Sequence, residues 1–455
     1  MKILLYYNKE YIKEKYNFMK KIIVAGAGHG GLIAAAKLAK AGYNVIVVDK
    51  SNTKEIGHDA EDRFSFPILA RLIESDIASF PEESWRYRGD CAFYSPAKST
   101  YVVVNYDEEH KQKIMWRKPL LGMLVLYCME QGVEFSWDTN IASAIIDGDR
   151  VIGIATDKGE LFADLIIDAC GVFSPVRMSL PGEFGIEDKP RRGDLFFSYR
   201  AYFDKTTDIN PEIPFEVYMY HEGEQGLSWC CTNPDSVDIL IGRIDPLEAE
   251  HIDELLGMFR HDHPYIGTNV LHGGKYSVIP VRRPLTLMVA NGYAAVGDSA
   301  FMTMPMNGMG IDLSLQAGEI LANSVLKAGD GELTREALWD YNKAFHKRLG
   351  AEAAKNEGLK NAILSMPAEG VEFLFENGII QSQDLAGAGR NLNPIKLIGK
   401  FFRGMRSPSY FFALLRGISA GGKASKLYKN PPESFDFDAI TAWRESIESW
   451  DVEIL

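Results

Sequence analysis

The sequence predicts an α/β fold with an inserted antiparallel β-sheet domain and a helical C-terminal region. Three patterns lead to this prediction. Residues 21–49 follow the order strand, glycine-rich turn, helix and strand, which is the pattern of a βαβ unit. Residues 191–275 contain several short runs in which apolar and polar residues alternate, as they do in antiparallel strands. Residues 331–455 are mostly helical in pattern.

The boundaries between these patterns divide the chain into domains. We expect an N-terminal appendage, because the first strand begins only near Lys21. A buried strand and a helix return after the alternating runs, which indicates that the first domain is discontinuous. The predicted parts are therefore the appendage (1–18), a nucleotide-binding domain (19–190 and 276–330), a substrate-binding β-sheet domain (191–275) and a helical region (331–455).

Composition excludes several classes of protein. The 455 residues carry a net charge of −13, which argues against nucleic acid as a partner because binding its backbone needs a cationic surface. The five cysteines include no CxxC pair, so we expect no metal and reduced thiols. The vicinal Cys230 and Cys231 are either a redox pair or, as we expect, buried strand residues. The absence of a secretory signal pattern and of a long apolar window predicts a cytoplasmic protein.

The first motif is the glycine turn of the βαβ unit, GAGHGG at 26–31, which fits the dinucleotide-binding pattern GxGxxG. Gly26 permits a tight turn, Gly28 lets the backbone approach a pyrophosphate, and Gly31 lets helix and strand pack closely. The following helix offers free N–H groups to the anion. Asp49 ends the second strand, where a carboxylate can accept hydrogen bonds from a ribose. The predicted nucleotide ligands here are Gly26, Gly28, Gly30, Gly31, Asp49 and Lys50.

Two later motifs each follow a buried strand. The segment from Asp168 to Arg177 fits the pattern DxxGxxSxxR that accompanies the first βαβ unit in flavoproteins. In the later Gly-Asp-Ser-Ala segment, the carboxylate of Asp298 can accept hydrogen bonds from the ribityl hydroxyls of a flavin. The downstream glycine turn opens a helix whose positive end can stabilise negative charge on a reduced flavin ring. The cofactor residues predicted in this part are Gly171, Gly297, Asp298, Pro305, Gly308, Met309, Gly310 and Ile311.

Together these motifs resemble the para-hydroxybenzoate-hydroxylase-like flavoprotein superfamily over roughly residues 20–330, and within it the geranylgeranyl reductase family. The closer resemblance rests on GGKYSVIPVRRP (273–284), GLSWCCTNPDSVDILIGR (226–243) and Met-Trp-Arg (115–117). It implies a Rossmann-like FAD-binding domain, FAD as the cofactor, and Arg117 as a residue that reaches the flavin. It also implies a reductase that acts on a carbon–carbon double bond of an apolar, isoprenoid or lipid-like substrate.

The chain departs from this family at two places. Family members usually carry a Cys-Gly pair after the second strand, whereas residues 55–63 contain no cysteine. A cysteine acid near Gly57 is therefore excluded. The aromatic strand keeps Trp229 but lacks the Phe-Pro that follows it in the family. Flavin halogenases carry a WxWxIP strand, and because Trp229 stands alone here we do not expect a halogenase.

Four side chains are candidates for the chemistry itself. His58 and Asp59 lie where the family has active-site residues, although the same positions suit an exposed loop or a helix cap. Tyr218 and Tyr220 are two positions apart in a strand and should share one face, either lining a substrate pocket or packing in the core. The methionine-rich run at 302–309 is expected to form an apolar wall near the flavin.

Basic residues suggest two further features. Arg200 and Arg243 either hold a substrate carboxylate or, more simply, form surface salt bridges. In the basic stretch 390–429, lysines and arginines alternate with aromatic and aliphatic residues, and no acid is present. Such a surface predicts peripheral contact with anionic lipid, or else a helical lid with a solvated cationic face.

Two enzyme classes and one non-catalytic class fit these motifs. The leading hypothesis is an FAD-dependent reductase of a carbon–carbon double bond. The alternative is a flavin-dependent monooxygenase that hydroxylates a small organic substrate. A flavin-bearing electron carrier or sensor is the third. Because only one GxGxxG unit is present, electrons are expected from transiently bound NAD(P)H or from ferredoxin.

Overall fold

The computed structural model describes residues 20–105, 113–187, 190–385, 400 and 403–451. The appendage predicted at 1–18 lies outside these ranges, and so do residues 390–399 and 401–402 of the basic stretch. Four β-sheets and a series of helices make up the described part.

The nucleotide-binding part is built on a six-stranded sheet. Across this sheet the strands are β18 (Val289–Ala290), β19 (Tyr293–Ala295), β12 (Leu165–Asp168), β1 (Lys21–Ala25), β2 (Asn44–Val48) and β8 (Glu134–Ser136). β1 pairs in parallel with both β2 and β12, so the predicted βαβ unit is confirmed. The inner strands β1 and β12 are almost entirely buried, as expected for central strands of a parallel sheet.

The second large sheet has seven strands. In order they are β17 (Ile266–Pro280), β13 (Leu195–Lys205), β16 (Val237–Arg243), β15 (Gly226–Thr232), β14 (Phe215–Met219), β5 (Cys91–Tyr94) and β6 (Tyr101–Val104). The predicted antiparallel strands are present, but the sheet extends beyond 191–275. β17 continues until Pro280 pairs with Leu195, and β5 joins β14 in parallel. Cys230 and Cys231 are free and buried in β15, as expected for packing residues.

Two three-stranded sheets complete the β-structure. One consists of β3 (Glu61–Arg63), β7 (Lys113–Trp116) and β4 (Trp85–Tyr87), and the other of β11 (Gly159–Phe162), β10 (Arg150–Thr156) and β9 (Ile141–Asp147). In the first, Glu61 pairs with Trp116 across the ladder. This sheet therefore brings the segment that follows His58 next to the start of the helix at Arg117.

Helices cover the nucleotide-binding sheet and form the C-terminal region. They are α1 (His29–Lys40), α2 (Phe66–Leu72), α3 (Arg117–Glu130), α4 (Pro175–Met178), α5 (Ala249–Asp262), α6 (Ile311–Ala328), α7 (Arg335–Phe345), α8 (Ala351–Leu364), α9 (Ala368–Glu376), α10 (Ser382–Leu385), α11 (Pro408–Tyr428) and α12 (Phe437–Glu448). The predicted helical character of the C-terminal region is confirmed. Within the described ranges, no helix is both long enough and apolar enough to cross a membrane.

Candidate functional site

The glycine turn between β1 and α1 rests directly on the end of β12. Gly26 has φ +88°, and a Cβ atom there would lie 2.6 Å from the carbonyl oxygen of Ala169. A Cβ on Gly28 would lie 3.0 Å from the same oxygen, and a Cβ on Gly31 would lie 2.8 Å from Val24. Glycine is required at these positions because backbone and neighbouring side chains occupy the space of a larger residue. The turn is therefore held close to the end of β12. The N–H groups of Gly26 and Ala27 are bonded, to the carbonyl oxygen of Val48 and to the carboxylate of Asp49, which leaves those at the start of α1 for a ligand.

Within the same turn, Gly30 places α1 against α6, and His29 adds a polar group. A Cβ on Gly30 would lie 2.6 Å from the carbonyl oxygen of Ser314 in α6, so the two helices cross at this point. The Nε2 atom of His29 is buried and has no hydrogen-bond partner among the described residues. Burial and the nearby charge of Arg117 lower the pKa of His29 to about 4. A neutral imidazole is thus available to a ligand in this place.

The predicted ribose ligand Asp49 also supports the turn. One carboxylate oxygen accepts the N–H of Ala27 at 2.7 Å, and the other accepts the N–H of Ser51 at 2.7 Å. Each oxygen keeps a further lone pair that a ribose hydroxyl can use. The neighbouring Lys50 is exposed. Neither Asp49 nor Lys50 lines the cavity described below, and neither do Gly26 and Gly31, so their roles towards a nucleotide stay predictions.

The segment from Asp168 to Arg177 holds two turns together. The buried carboxylate of Asp168 accepts hydrogen bonds from Ser174 Oγ at 2.5 Å and from Ser299 Oγ at 2.9 Å. Arg177, itself buried, donates to the carbonyl oxygen of Ser299. These polar residues therefore fix the turn at Gly171 to the turn at Gly297. Gly171 has φ +87° and open space where a side chain would be.

The third motif places a carboxylate beside a helix N-terminus. Asp298 is half-buried, and its loss of solvent raises its pKa. Its carboxylate accepts a hydrogen bond from Thr303 Oγ1 at 3.1 Å. A Cβ on Gly310 would lie 2.8 Å from that same hydroxyl oxygen, so the turn closes tightly before α6 begins at Ile311. Pro305 and the residues from Gly308 to Ile311 all line the cavity.

The predicted flavin-contacting residue Arg117 is the first residue of α3. Its guanidinium forms two hydrogen bonds with Asp62, at 2.6 and 2.7 Å. Burial opposes both charges, but their attraction holds the pKa of Asp62 below its usual value. This ion pair lines the cavity between the glycine turn and the large sheet.

All three motifs open into one cavity of about 530 Å³. One part is lined by residues 28–30 of the glycine turn, Arg117, Gly171 and the segment 305–311. The other part is apolar and lies against the large sheet, and its wall includes Phe196, Phe215, Val217, Leu227, Leu240 and Ile244. None of these six apolar residues was predicted as a site residue, because their strands carry no motif. The cofactor part and the apolar part form a continuous space.

Of the four side chains predicted to take part in the chemistry, three line this cavity, and they differ in their hydrogen-bond partners. His58 is exposed at the cavity wall, and burial of part of its ring together with the charge of Arg117 lowers its pKa. Asp59 hydrogen-bonds His272 at 3.2 Å and lies 3.4 Å from Lys118. Burial opposes the ionisation of Asp59, but these two partners lower its pKa and favour the carboxylate, and its catalytic role stays a prediction.

The prediction that Tyr218 and Tyr220 share one face of a strand was wrong. β14 ends at Met219, and Tyr220 adopts a left-handed conformation with φ +49°. This turn reverses the alternation, so Tyr220 lines the cavity while Tyr218 packs on the other face against α5. The hydroxyl of Tyr220 donates to the carbonyl oxygen of Ile363 at 2.8 Å, and burial raises its pKa.

The remaining predicted residues are found in packing and pairing roles. Arg200 pairs with Asp238 at 2.7 Å, and Arg243 pairs with Glu224 at 2.9 Å. Both arginines thus form the expected salt bridges, but Arg243 is buried, and Arg200 is mostly buried and lines the cavity. Of the methionine-rich run, Met306 and Met309 line the cavity, whereas Met302 and Met304 do not.

The cofactor part of the cavity fits FAD. α1 and α6 both begin there, and no side chain caps the N-terminus of either helix. Uncapped N–H groups at two helix N-termini favour anionic groups such as a pyrophosphate or a reduced flavin ring. The unpartnered imidazole of His29, the open space at Gly171 and the carboxylate of Asp298 add further places for polar groups of a dinucleotide.

Comparisons with known proteins agree with this geometry. A family model described as an NAD(P)-binding Rossmann-like domain matches residues 24–62. Digeranylgeranylglycerophospholipid reductase of Sulfolobus acidocaldarius is 23% identical over 448 residues, covering 94% of this chain and 96% of that protein.

Two solved structures share the fold. A geranylgeranyl bacteriochlorophyll reductase-like protein of Thermoplasma acidophilum superposes with a TM-score of 0.69 at 16% identity, covering 88% of this chain and all of that one. A probable FAD-dependent monooxygenase of Pseudomonas aeruginosa, PqsL, superposes with a TM-score of 0.56 at 19% identity, covering 78% and 97%. The predicted resemblance is confirmed: the chain is an FAD-dependent oxidoreductase that is similar to the geranylgeranyl reductase family.

Proposed function

We propose that the chain reduces a carbon–carbon double bond of an apolar, isoprenoid- or lipid-like substrate. The observation that carries this proposal is the continuity of the apolar part of the cavity with the part that fits FAD. A long apolar chain can lie against the large sheet and reach the turn at 305–311. The name of the Sulfolobus acidocaldarius relative, a reductase of an isoprenoid lipid, supports the same substrate class.

The residues of the chain supply binding, orientation and exclusion of water. When bound, FAD supplies the hydride. The aromatic and aliphatic wall from Phe196 to Ile244 removes water from an apolar chain, which provides binding energy in proportion to the buried area. Ile279 lies 3.8 Å from the position of a Cβ on Gly308, so β17 supports the turn that faces this wall.

Electrons must reach the flavin from outside the chain. Among the described residues, the turn at 26–31 is the one glycine-rich dinucleotide turn between a parallel strand and a helix. We therefore propose a donor that binds transiently, either NAD(P)H or a ferredoxin. The test is anaerobic reduction of the holoenzyme by NADH, NADPH and reduced ferredoxin in parallel, followed by addition of a polyprenyl alkene or its saturated analogue. Re-oxidation by the alkene alone is expected, and no re-oxidation by any alkene contradicts the proposal.

A monooxygenase is the second candidate, favoured by the fold that this chain shares with the Pseudomonas aeruginosa protein. Analysis of the products by mass spectrometry separates the two. A reductase adds two hydrogens to the substrate, whereas a monooxygenase adds one oxygen atom and consumes molecular oxygen. Incorporation of labelled oxygen into the product contradicts the reductase proposal.

We propose His58 as the proton donor to the carbon that does not receive the hydride. It lines the cavity, and no hydrogen bond or ion pair is found for it among the described residues. Replacement by glutamine is expected to lower turnover by about ten- to a hundredfold, at or below the low end of general acid catalysis, because water reaches this exposed position and can supply the proton instead. Turnover should fall as the pH rises through the lowered pKa of His58, and the variant should lose this dependence.

The control for this variant is His251→Gln, a half-buried histidine of α5 that does not line the cavity. Turnover and its pH profile should be unchanged in the control, and FAD affinity should be unchanged in both variants. An unaltered pH profile in His58→Gln would remove His58 from the reaction.

The described part of the basic stretch supports a peripheral membrane contact. On α11, the side chains of Phe412 and Ile418 are about half exposed, and Arg416 and Lys426 of the same helix are also exposed. Exposed apolar and cationic groups together favour an anionic bilayer surface. Co-sedimentation with phosphatidylglycerol vesicles, but not with phosphatidylcholine vesicles, is expected, and failure to bind the anionic vesicles contradicts this proposal.

A further inference from the structure

The apolar wall of the cavity contains two buried hydrogen-bond donors without an acceptor. The Nε atom of Arg88 and the Nε1 atom of Trp229 are both buried, and neither has a partner among the described residues. Both side chains line the cavity. The guanidinium carbon of Arg88 lies 3.8 Å from the ring centroid of Phe215 and 6.0 Å from that of Trp229. The two donors therefore lie on the same part of the wall.

Arg88 differs from the neighbouring arginines in its partners. Each of three others holds a carboxylate through two hydrogen bonds of 2.5–2.8 Å; these pairs are Arg86 with Glu61, Arg117 with Asp62, and Arg200 with Asp238. For Arg88, the described contacts are with the faces of two aromatic rings. Its charge is therefore not neutralised by a carboxylate of the described chain.

Buried polar groups in folded proteins almost always have a hydrogen-bond partner, so two unpartnered donors at one cavity wall call for an acceptor from a ligand. A guanidinium presents a planar array of donors that matches a carboxylate or a phosphate, and an indole N–H is a donor only. We propose that Arg88 and Trp229 form a subsite for an anionic group, a phosphate or a carboxylate, of an amphipathic substrate. This inference rests on the proposed function, because it refines the class of substrate that the cavity accepts.

The subsite lies on a different part of the wall from the turn at 305–311. Arg88 stacks on Phe215 of β14, and β14 is four strands away from β17, which contacts that turn. Apolar residues of the intervening strands, such as Leu227 and Leu240, line the cavity between them. A ligand held by its anionic end at Arg88 would thus direct its apolar chain along the sheet towards the cofactor part. The enzyme would then recognise its substrate by the anionic end, which is remote from the double bond that is reduced.

The test measures ligand binding and does not depend on turnover. Isothermal titration calorimetry of the FAD-loaded protein, below the critical micelle concentrations, compares decyl phosphate, decanoate and decanol. We expect at least one anion to bind about tenfold or more tightly than decanol. The comparison of decyl phosphate with decanoate identifies which anion the subsite prefers, and either preference supports the proposal.

Variants of Arg88 and Trp229 test whether these two donors cause the preference for an anionic ligand. Arg88→Gln is expected to remove the preference for the anion and to leave the affinity for decanol unchanged. Trp229→Phe keeps an aromatic ring but removes the N–H, so it should weaken anion binding several-fold and provides a second route if the first variant does not fold. Arg260→Gln is the matched control, because Arg260 stacks on Phe203 at 4.9 Å on the opposite side of the same sheet.

Equal affinities for the three ligands, no binding of any of them, or an anion preference that survives in both variants would overturn the subsite. These outcomes are distinct from failure of the proposed reductase. If the anion preference holds while alkenes do not re-oxidise the flavin, the reductase proposal alone is wrong. If alkenes re-oxidise the flavin and no preference is found, the subsite alone is wrong.

Discussion

Replacement of Glu357 by glutamine is expected to lower the free energy of unfolding by about 3–5 kcal/mol, the usual effect of removing one partner from a buried ion pair. Glu357 and Arg283 are 3% and 4% exposed and are joined by a hydrogen bond of 2.5 Å. Glu357 also accepts the backbone N–H of Arg283 at 3.0 Å. Glutamine keeps the size of the side chain but leaves the guanidinium with less compensation for its burial.

The pH dependence of this effect follows from the pKa of Glu357. Burial alone would raise that pKa, but the charges of Arg283 and Lys360 lower it to about 2. A carboxyl group with a lowered pKa stabilises the fold fully above its unfolded value of 4.5, and this contribution is lost as the pH falls towards 2. The difference between wild type and variant should therefore be largest at neutral pH and shrink in acid.

Urea-induced unfolding of the FAD-loaded protein at pH 7 and pH 3 measures both expectations. The control is Glu74→Gln, which removes an exposed pair with Lys40 and should leave the unfolding midpoint unchanged. A midpoint for Glu357→Gln equal to that of the control would mean that the buried pair does not stabilise the fold. Because Arg283 also pairs with Asp451, the effect should extend to the C-terminal segment.

The cofactor site could be predicted from sequence because its signals are local. Gly26 and Gly31 have no room for a side chain, because β1 and the residue after β12 lie against them. The GxGxxG spacing identifies such glycines directly. Asp168 was recognised within its motif, but its bonds to Ser174, Tyr293 and Ser299 show that it supports the site through a network. A motif thus locates such a residue without stating what it does.

The substrate part could not be predicted in the same way. The left-handed residue at Tyr220 ends the alternation of β14, and nothing in the residue type requires a positive φ there. The pairing of β5 with β14 joins positions more than a hundred residues apart, so no local pattern reports it. The unpartnered state of Arg88 is likewise invisible in sequence, because it depends on which carboxylates the fold gives to the other arginines.

Replacement of Gly26 by alanine is expected to weaken FAD binding by more than about a hundredfold. A positive φ disfavours any residue with a Cβ by roughly 1–2 kcal/mol. In addition, the new Cβ would lie 2.6 Å from the carbonyl oxygen of Ala169, a distance that the backbone must open. Because Gly28 and the start of α1 follow immediately, relief of this contact would move the N–H groups that would hold the pyrophosphate of FAD. At about 1.4 kcal/mol per tenfold, a displacement that removes two such hydrogen bonds accounts for the expected loss.

The variant Gly132→Ala separates the effect of the positive φ from the effect of the close contact with Ala169. Gly132 follows α3 with φ +89°, almost equal to the +88° of Gly26, but no atom lies within 4 Å of its Cβ position. Both variants should lose stability from the strained φ, whereas only Gly26→Ala should release FAD, measured as the dissociation constant from the recovery of flavin fluorescence. If Gly132→Ala lost FAD equally, the loss would reflect general destabilisation. If Gly26→Ala bound FAD as tightly as wild type, the turn would not be the pyrophosphate site, since the close contact with β12 is what fixes its N–H groups in place.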